Sequence, residues 1–142
     1  LRHPKCISNL SELENSSFQE LIDDHDVSKS VRKVLLCSGK IYYELLAEKE
    51  SKSVKDIAIV RIEQLYPLPE WELEKIFEKY KGASFYWVQE ESKNQGAWLH
   101  LHRYEFPVQL EYIGRKSSAS PATGFKKVHD LEQSEIIQIA FS

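Results

Sequence analysis

The stretch VLLCSGK, residues 34–40, decides the fold of this chain. Its first four residues are all apolar, so a strand made from them has no polar face and needs cover on both sides. Ser38 and Gly39 then end the run. Residues 40–50 (KIYYELLAEKE) follow at once, and their apolar side chains fall on one helical face. A buried strand, a turn and a helix in succession predict an α/β sheet.

The next two apolar runs extend this pattern. Residues 57–60 (IAIV) are rich in β-branched side chains and predict the central strand of the sheet. Apolar residues then repeat at helical spacing, which predicts a helix that begins near Pro69 or Glu70. Residues 83–88 (ASFYWV) predict a third strand, which ends at the polar stretch 89–95.

The last third of the chain predicts one more strand between two helices. Residues 96–103 (GAWLHLHR) favour a helix, and residues 108–112 alternate like an edge strand exposed on one face. A loop rich in Ser, Pro and Gly at 116–126 then precedes a closing helix over 130–141. Strand and helix thus alternate repeatedly, so we expect a mostly parallel sheet with helices on both faces.

Composition narrows the possible classes of protein. Hydrophobic residues make up 42% and charged residues 29% of the 142 residues, and the net charge is -3. Neither a long apolar run nor a long basic block is present, which argues against membrane and nucleic-acid partners. Cys6 and Cys37 are the only cysteines, which is typical of a reduced, intracellular protein.

The chain also has the character of an excised piece, because it lacks an initiator Met and contains no Met at all. Residues 1–30 are acidic and sparse in apolar side chains, which predicts a connecting arm from a preceding domain, with one short helix. Residues 31–142 are then the α/β C-terminal domain. In an open α/β sheet, ligands bind beyond the carboxyl ends of the strands. We therefore expect one rim, built from the loops at 38–40, 64–66, 89–95 and 115–124.

The chemistry available on that rim is modest. Ser38-Gly39-Lys40 could hold a phosphate at a helix N-terminus, but it lacks the spacing of the known phosphate-binding motifs, so a plain turn is favoured. Glu90 and Glu91 are adjacent and form a poor acid–base pair. His100 and His102 would not face one metal ion from a helix.

The basic residues around the Ser-rich loop leave two readings open. Arg115, Lys116, Lys126 and Lys127 could bind an anion, or they could be simply solvated. His129 favours a capping or surface role over catalysis. No diphosphate–metal motif, nucleophile elbow or Cys/His pairing is present, so the chain alone is expected to catalyse nothing.

Several motifs resemble one family, in order and over nearly the whole chain: SGKIYY at 38–43, VRIEQLYPLP at 60–69, WVQEESKNQGAW at 87–98, and SASPATG at 118–124 before KVH. The sequence resembles the decarboxylating component of 2-oxoglutarate dehydrogenase. The positions that match the family's loops are Gln89, Glu90, Asn94, Gln95, Trp98, Ser118, Ser120 and Lys126. Together with Arg115 and His129 beside the Ser-rich loop, they are the candidate interface or anion-binding residues. Ser92 departs from the pattern, since Pro is frequent there.

The resemblance implies a domain like the C-terminal domain of transketolase, with a structural role. It also implies that preceding domains of the same subunit hold thiamine diphosphate and magnesium, and that subunits form a homodimer. The full enzyme would pass a succinyl group to the dihydrolipoamide succinyltransferase component. It would work in the bacterial cytoplasm, or in the mitochondrial matrix of a eukaryote.

Two other functions remain open at this point. One is a regulatory module that binds acyl-CoA or an adenine nucleotide at the basic residues beside the Ser-rich loop. The other is a small independent enzyme that uses Glu90 with His129, which requires the two side chains to converge within hydrogen-bond reach.

Overall fold

Strands and helices alternate along the chain, as the apolar pattern predicts. The computed structural model describes residues 4–7 and 10–142. In chain order the elements are α1 (Leu10–Asn15), β1 (Leu21–Ile22), β2 (Lys33–Cys37), α2 (Ile41–Ser51), β3 (Ile57–Ile62), α3 (Glu70–Lys79), β4 (Ser84–Ser92), α4 (Trp98–Leu101), β5 (Leu110–Arg115) and α5 (Lys126–Ala140).

The strands form one sheet in the order β1-β3-β2-β4-β5. Strands β2, β3, β4 and β5 are parallel to their neighbours, and β1 runs antiparallel to β3. The expected fold class, a mostly parallel sheet flanked by helices, is confirmed. The expectation that residues 57–60 form the central strand is wrong, because β2 lies at the centre and β3 beside it. An unbroken apolar run indicates cover on both faces, but it does not determine a strand's place in the sheet order.

Each face of the sheet carries its own apolar core, because successive side chains of a strand point to opposite sides. On one face Leu36 and Trp87 pack with residues of α3 and α4. On the other, Leu35 and Cys37 pack with residues of α2 and α5. The helices therefore cover both faces, and all five residues of β2 are buried.

Three element boundaries differ from the sequence prediction. Strand β4 continues to Ser92 instead of ending at residue 88, because Gln89 and Ser92 are buried despite being polar. Helix α5 begins at Lys126 instead of residue 130, because its first turn contributes no buried apolar residue and so lacks a periodic pattern. The helix expected over 96–103 is limited to α4.

The segment expected as a connecting arm contains the predicted short helix, α1, and also an unexpected strand, β1, which pairs with the outer edge of β3. Beyond β1, the Asp24 carboxylate accepts the backbone N–H of Ile59 at 2.9 Å and the ammonium group of Lys49 at 2.5 Å. Asp23 accepts the hydroxyl of Tyr80 at 2.8 Å. These contacts attach the end of this segment to the sheet, to α2 and to the end of α3.

Within residues 4–7 and 10–142, no helix combines the length and apolar character required to span a membrane.

Candidate functional site

The carboxyl ends of the four parallel strands bring the four expected loops to one rim of the sheet. The loop after β2 leads to α2 on one face, whereas the loops after β3 and β4 lead to α3 and α4 on the other. Adjacent connections that leave to opposite faces open a crevice between them. A groove lies at this place, lined by residues including Gly39, Tyr66, Gln89, Ala97 and His100.

Gln89 organises the floor of this groove. Its side-chain oxygen accepts the indole N–H of Trp87 at 2.7 Å and the backbone N–H of Trp98 at 3.0 Å. Its side-chain nitrogen donates to the carbonyl oxygens of Gln95 at 2.8 Å and Ser92 at 3.1 Å. The side chain is buried and has almost no access to water. These bonds replace the hydrogen bonds to water that the amide lost on burial. Gln89 therefore fixes the turn between β4 and α4.

Asn94 and Gln95 connect that turn to the Ser-rich loop. The Asn94 side chain donates to the carbonyl oxygen of Ser118 at 2.9 Å and accepts the backbone N–H of Ser118 at 2.9 Å. The Gln95 side chain donates to the carbonyls of Ser118 at 3.2 Å and Ser120 at 3.3 Å. The sequence placed all four residues in one site, and the structure brings them together through the backbone of the Ser-rich loop.

Arg115, the last residue of β5, connects three elements. Its guanidinium donates to the carbonyl oxygen of Glu90 at 2.8 Å, to Nδ1 of His129 at 2.9 Å and to the side-chain oxygen of Gln133 at 3.2 Å. It also lies 3.0 Å from a carboxylate oxygen of Glu132. With its side chain only 13% exposed, Arg115 is directed at the protein itself and not toward solvent.

His129 lies inside the first turn of α5 and does not cap it, since the cap position is Phe125. Because guanidinium nitrogens only donate, the Nδ1 atom of His129 accepts in its contact with Arg115. Lys126 and Lys127 in the same turn are exposed. The basic residues expected around this loop therefore differ: Arg115 is largely buried and bound to neighbouring residues, whereas Lys126 and Lys127 are exposed.

Glu90 forms an ion pair with Lys40, which follows β2, and its side chain is 19% exposed. Glu91 is exposed on the same strand. Since Glu90 engages Lys40 and His129 engages Arg115, the acid–base couple that a small independent enzyme would need is not assembled.

The histidines of α4 and its end serve as packing and hydrogen-bonding groups. A ring nitrogen of His100 lies 2.9 Å from the carbonyl oxygen of Leu65. His102 stacks on the buried ring of Trp98, with centroids 5.3 Å apart. Among the residues that the structure describes, no three His, Cys, Asp or Glu side chains come together as metal ligands.

Sequence reasoning missed Tyr112, whose hydroxyl donates to the carbonyl oxygens of Arg115 at 2.8 Å and Glu91 at 3.1 Å. Burial raises the pKa of Tyr112 to about 12. A Cβ atom at Gly114 would lie 2.4 Å from that hydroxyl, so this position accepts only glycine without displacement. Neither Tyr112 nor Gly114 lies in a recognisable sequence motif, because the Tyr112 hydroxyl contacts backbone oxygens, which any residue type provides. The burial of Cys37 was expected, and it raises the pKa of that thiol to about 12.

Comparison with known proteins gives a consistent result. The family model described as 2-oxoglutarate dehydrogenase C-terminal matches residues 7–141. The chain is 44% identical over 150 residues to the 2-oxoglutarate dehydrogenase E1 component of Haemophilus influenzae, covering 100% of this chain and 16% of that protein. It is 46% identical over 150 residues to the oxoglutarate dehydrogenase of Buchnera aphidicola, with the same coverage of each chain.

A relative whose name gives a different substrate also matches. The probable 2-oxoadipate dehydrogenase complex component E1 homolog of Dictyostelium discoideum is 36% identical over 152 residues, which cover 100% of this chain and 17% of that protein. The chain therefore spans 16–17% of the length of these three relatives. The match over nearly every residue, on a fold of the expected class, shows that this chain belongs to the 2-oxoglutarate dehydrogenase C-terminal family.

Proposed function

We propose that the chain is the C-terminal structural domain of a longer, thiamine-diphosphate-dependent 2-oxoglutarate dehydrogenase. The observation that carries this proposal is that polar side chains of the rim, where α/β sheets bind their ligands, form hydrogen bonds within the protein. Gln89 and Asn94 direct their polar groups at neighbouring loops, and Arg115 directs its guanidinium at α5 and β4. A rim whose loops are joined to each other by these hydrogen bonds is suited to holding a fixed shape for adjoining parts of the protein.

In this proposal, residues 1–30 form the arm from a preceding domain, and residues 31–142 form the C-terminal domain. The complete protein decarboxylates 2-oxoglutarate on thiamine diphosphate and passes the succinyl group to a lipoyl group of the dihydrolipoamide succinyltransferase component. It works as a homodimer, in the bacterial cytoplasm or, for a eukaryotic source, in the mitochondrial matrix. The names of the relatives support the substrate class, since they describe 2-oxoglutarate and 2-oxoadipate enzymes.

Thiamine diphosphate and magnesium are assigned in this proposal to the preceding domains. The rim described here does not fit them: Glu90 is paired with Lys40, and Arg115 is bound to Glu90, His129 and Gln133. A diphosphate–magnesium group needs free carboxylate and carbonyl oxygens at the metal. Thus no catalytic step is assigned to this chain.

A chimera tests the structural role. The C-terminal segment of the Haemophilus influenzae relative is replaced by this chain, and carbon dioxide release from 2-oxoglutarate is measured with thiamine diphosphate and magnesium. We expect the chimera to be active, and the same protein without a C-terminal segment to be inactive. A chimera with Gln89→Leu should lose activity in parallel with the folded fraction of the domain, because Gln89 holds the rim loops. A shortened protein that keeps full activity would refute the proposal.

The 142-residue chain alone gives the complementary measurement. With thiamine diphosphate, magnesium and 2-oxoglutarate we expect neither turnover nor calorimetric binding. Turnover by this chain would replace the structural role with an independent enzyme.

The alternative function, a regulatory module for acyl-CoA or an adenine nucleotide, depends on a cavity between α5 and the Ser-rich loop. Lys116 and Ser118 line it, which favours an anion, but Glu132 and Glu135 line it too and oppose one. The Thr123 hydroxyl beside them is buried without a hydrogen-bond partner. Calorimetry with acetyl-CoA and with AMP at millimolar concentration decides between the two functions, since a flat trace discards the regulatory module.

A further inference from the structure

The outer face of α5 is apolar where a monomer would normally expose polar side chains. Phe125, Val128, Leu131 and Ile139 are 76%, 43%, 64% and 47% exposed. The last three fall on one stripe of the helix, at spacings of three and eight residues, and Phe125 stands at its N-terminal end. The opposite face of the same helix, with Ile136 and Ala140, is buried in the core. Residues 4–7 and 10–142 therefore leave this stripe, hereafter the α5 face, uncovered.

The charges beside the α5 face run against the helix dipole. Lys126 and Lys127 occupy the first turn, where backbone N–H groups already concentrate positive charge, and no acidic residue balances them there. Glu135 follows two turns later, on the exposed side. Across the part of the chain that the structure describes, neither Lys127 nor Glu135 forms an ion pair. The arrangement is unfavourable for an isolated helix and becomes favourable if a carboxylate approaches the first turn from outside.

A second copy of the same helix provides that carboxylate. Leu131 lies midway between Lys127 and Glu135, four residues from each. If two α5 helices pack antiparallel about a two-fold axis at Leu131, each Lys127 faces Glu135 of the second copy, and the two Leu131 side chains meet at the axis. The same alignment brings Phe125 of one copy near Ile139 of the other. Lys127 and Glu135 are separated by about 12 Å along the helix, so both pairs form without a change of backbone.

We propose that the α5 face is a docking surface for the α5 face of a second copy of this chain, packed antiparallel. This inference rests on the proposed homodimer and identifies the contact through which it forms. A single helix pair buries less than the roughly 800 Å² per partner of a stable interface. The isolated chain should therefore associate weakly, and in a longer protein this contact would add to others.

Sedimentation equilibrium over about 10 μM to about 1 mM, where small interfaces associate, tests the proposal with charge reversals. We expect wild-type chain to dimerise reversibly, and Lys127→Glu and Glu135→Lys each to weaken dimerisation roughly tenfold, since each creates two like-charge contacts. The double variant restores opposite charges and should recover wild-type association. Glu74→Lys on the exposed side of α3 is the matched control for Glu135→Lys, with the same change in net charge.

Disulfide trapping gives a second readout. In a Cys6→Ser background, Leu131→Cys places two thiols at the two-fold axis and should form a covalent dimer under mild oxidation. Leu99→Cys, exposed on α4, is the control that reports random collisions. A chain that stays monomeric at the highest concentration overturns the proposal. So does a dimer on which the α5 reversals act no more than Glu74→Lys, although that result leaves the proposed homodimer and the activity of the chimera untouched.

Discussion

The buried ion pair between Asp24 and Lys49 offers the sharpest test of how the segment that contains β1 is attached to the sheet. The Lys49 side chain is 3% exposed and the Asp24 side chain 12%. Asp24→Ala leaves the Lys49 ammonium without its partner in a site closed to water, and it also removes the acceptor of the Ile59 N–H. Because β1 is only two residues long, this pair is a principal link between the segment and the sheet.

The expected loss of stability follows from the two interactions that Asp24→Ala removes, the ion pair with Lys49 and the hydrogen bond from the Ile59 N–H. Breaking a buried pair by removing one partner costs about 3–5 kcal/mol, and an unpaired buried N–H costs about 1–3 kcal/mol. The two effects share one carboxylate and are not additive, so we expect the free energy of unfolding to fall by about 4 kcal/mol. For a domain of this size, that shifts the urea midpoint by roughly 2 M.

Urea unfolding followed by circular dichroism measures this shift. Asp26→Ala is the matched control, because Asp26 pairs with Lys55 at the surface and its removal should leave the midpoint nearly unchanged. If Asp24→Ala and Asp26→Ala gave the same midpoint, the argument from burial would be wrong.

Three further outcomes are expected from the rim and the core. Gln89→Leu leaves two buried tryptophan N–H groups unpaired and should lower the free energy of unfolding by about 3 kcal/mol in the same urea assay. Gly114→Ala places a methyl group 2.4 Å from the Tyr112 hydroxyl and 2.8 Å from the backbone oxygen of Gln89, and should cost at least about 2 kcal/mol; an unchanged midpoint would show that both neighbours move to make room. At pH 8, a thiol reagent should label exposed Cys6 and spare Cys37 until the chain unfolds, because burial raises the pKa of Cys37 to about 12 and keeps it a neutral thiol.

The elements that the sequence predicted well are those whose apolar residues form an unbroken run or repeat on one buried face. The run at 34–37 became the buried strand β2, and the repeat near residues 73–80 became α3. Strand β1 could not be predicted, because two residues carry no pattern and their pairing with β3 is a contact across some forty positions of sequence. The order of strands in the sheet could not be predicted either, because it also depends on pairing between residues that are distant in sequence.

The sequence predicted where the candidate site lies, but not what its individual residues do there. Parallel strands must end at one edge, so the rim followed from strand direction alone. The role of Arg115 did not follow, since a charged residue before a flexible loop looks solvated unless its burial is known. Gln89 is similar: its residue type is ordinary on a surface, and only the closeness of Trp87 and Trp98 makes its amide indispensable.

The indole of Trp87 gives the rim an intrinsic optical reporter. This ring is 1% exposed and its N–H is bound to Gln89, whereas Trp71 is 66% exposed on α3. Acrylamide should therefore quench the fluorescence of Trp71 and not that of Trp87. An adjoining domain that packs against the groove would change the emission of the buried tryptophans Trp87 and Trp98 without a label being introduced. Docking could therefore be followed in real time by fluorescence alone.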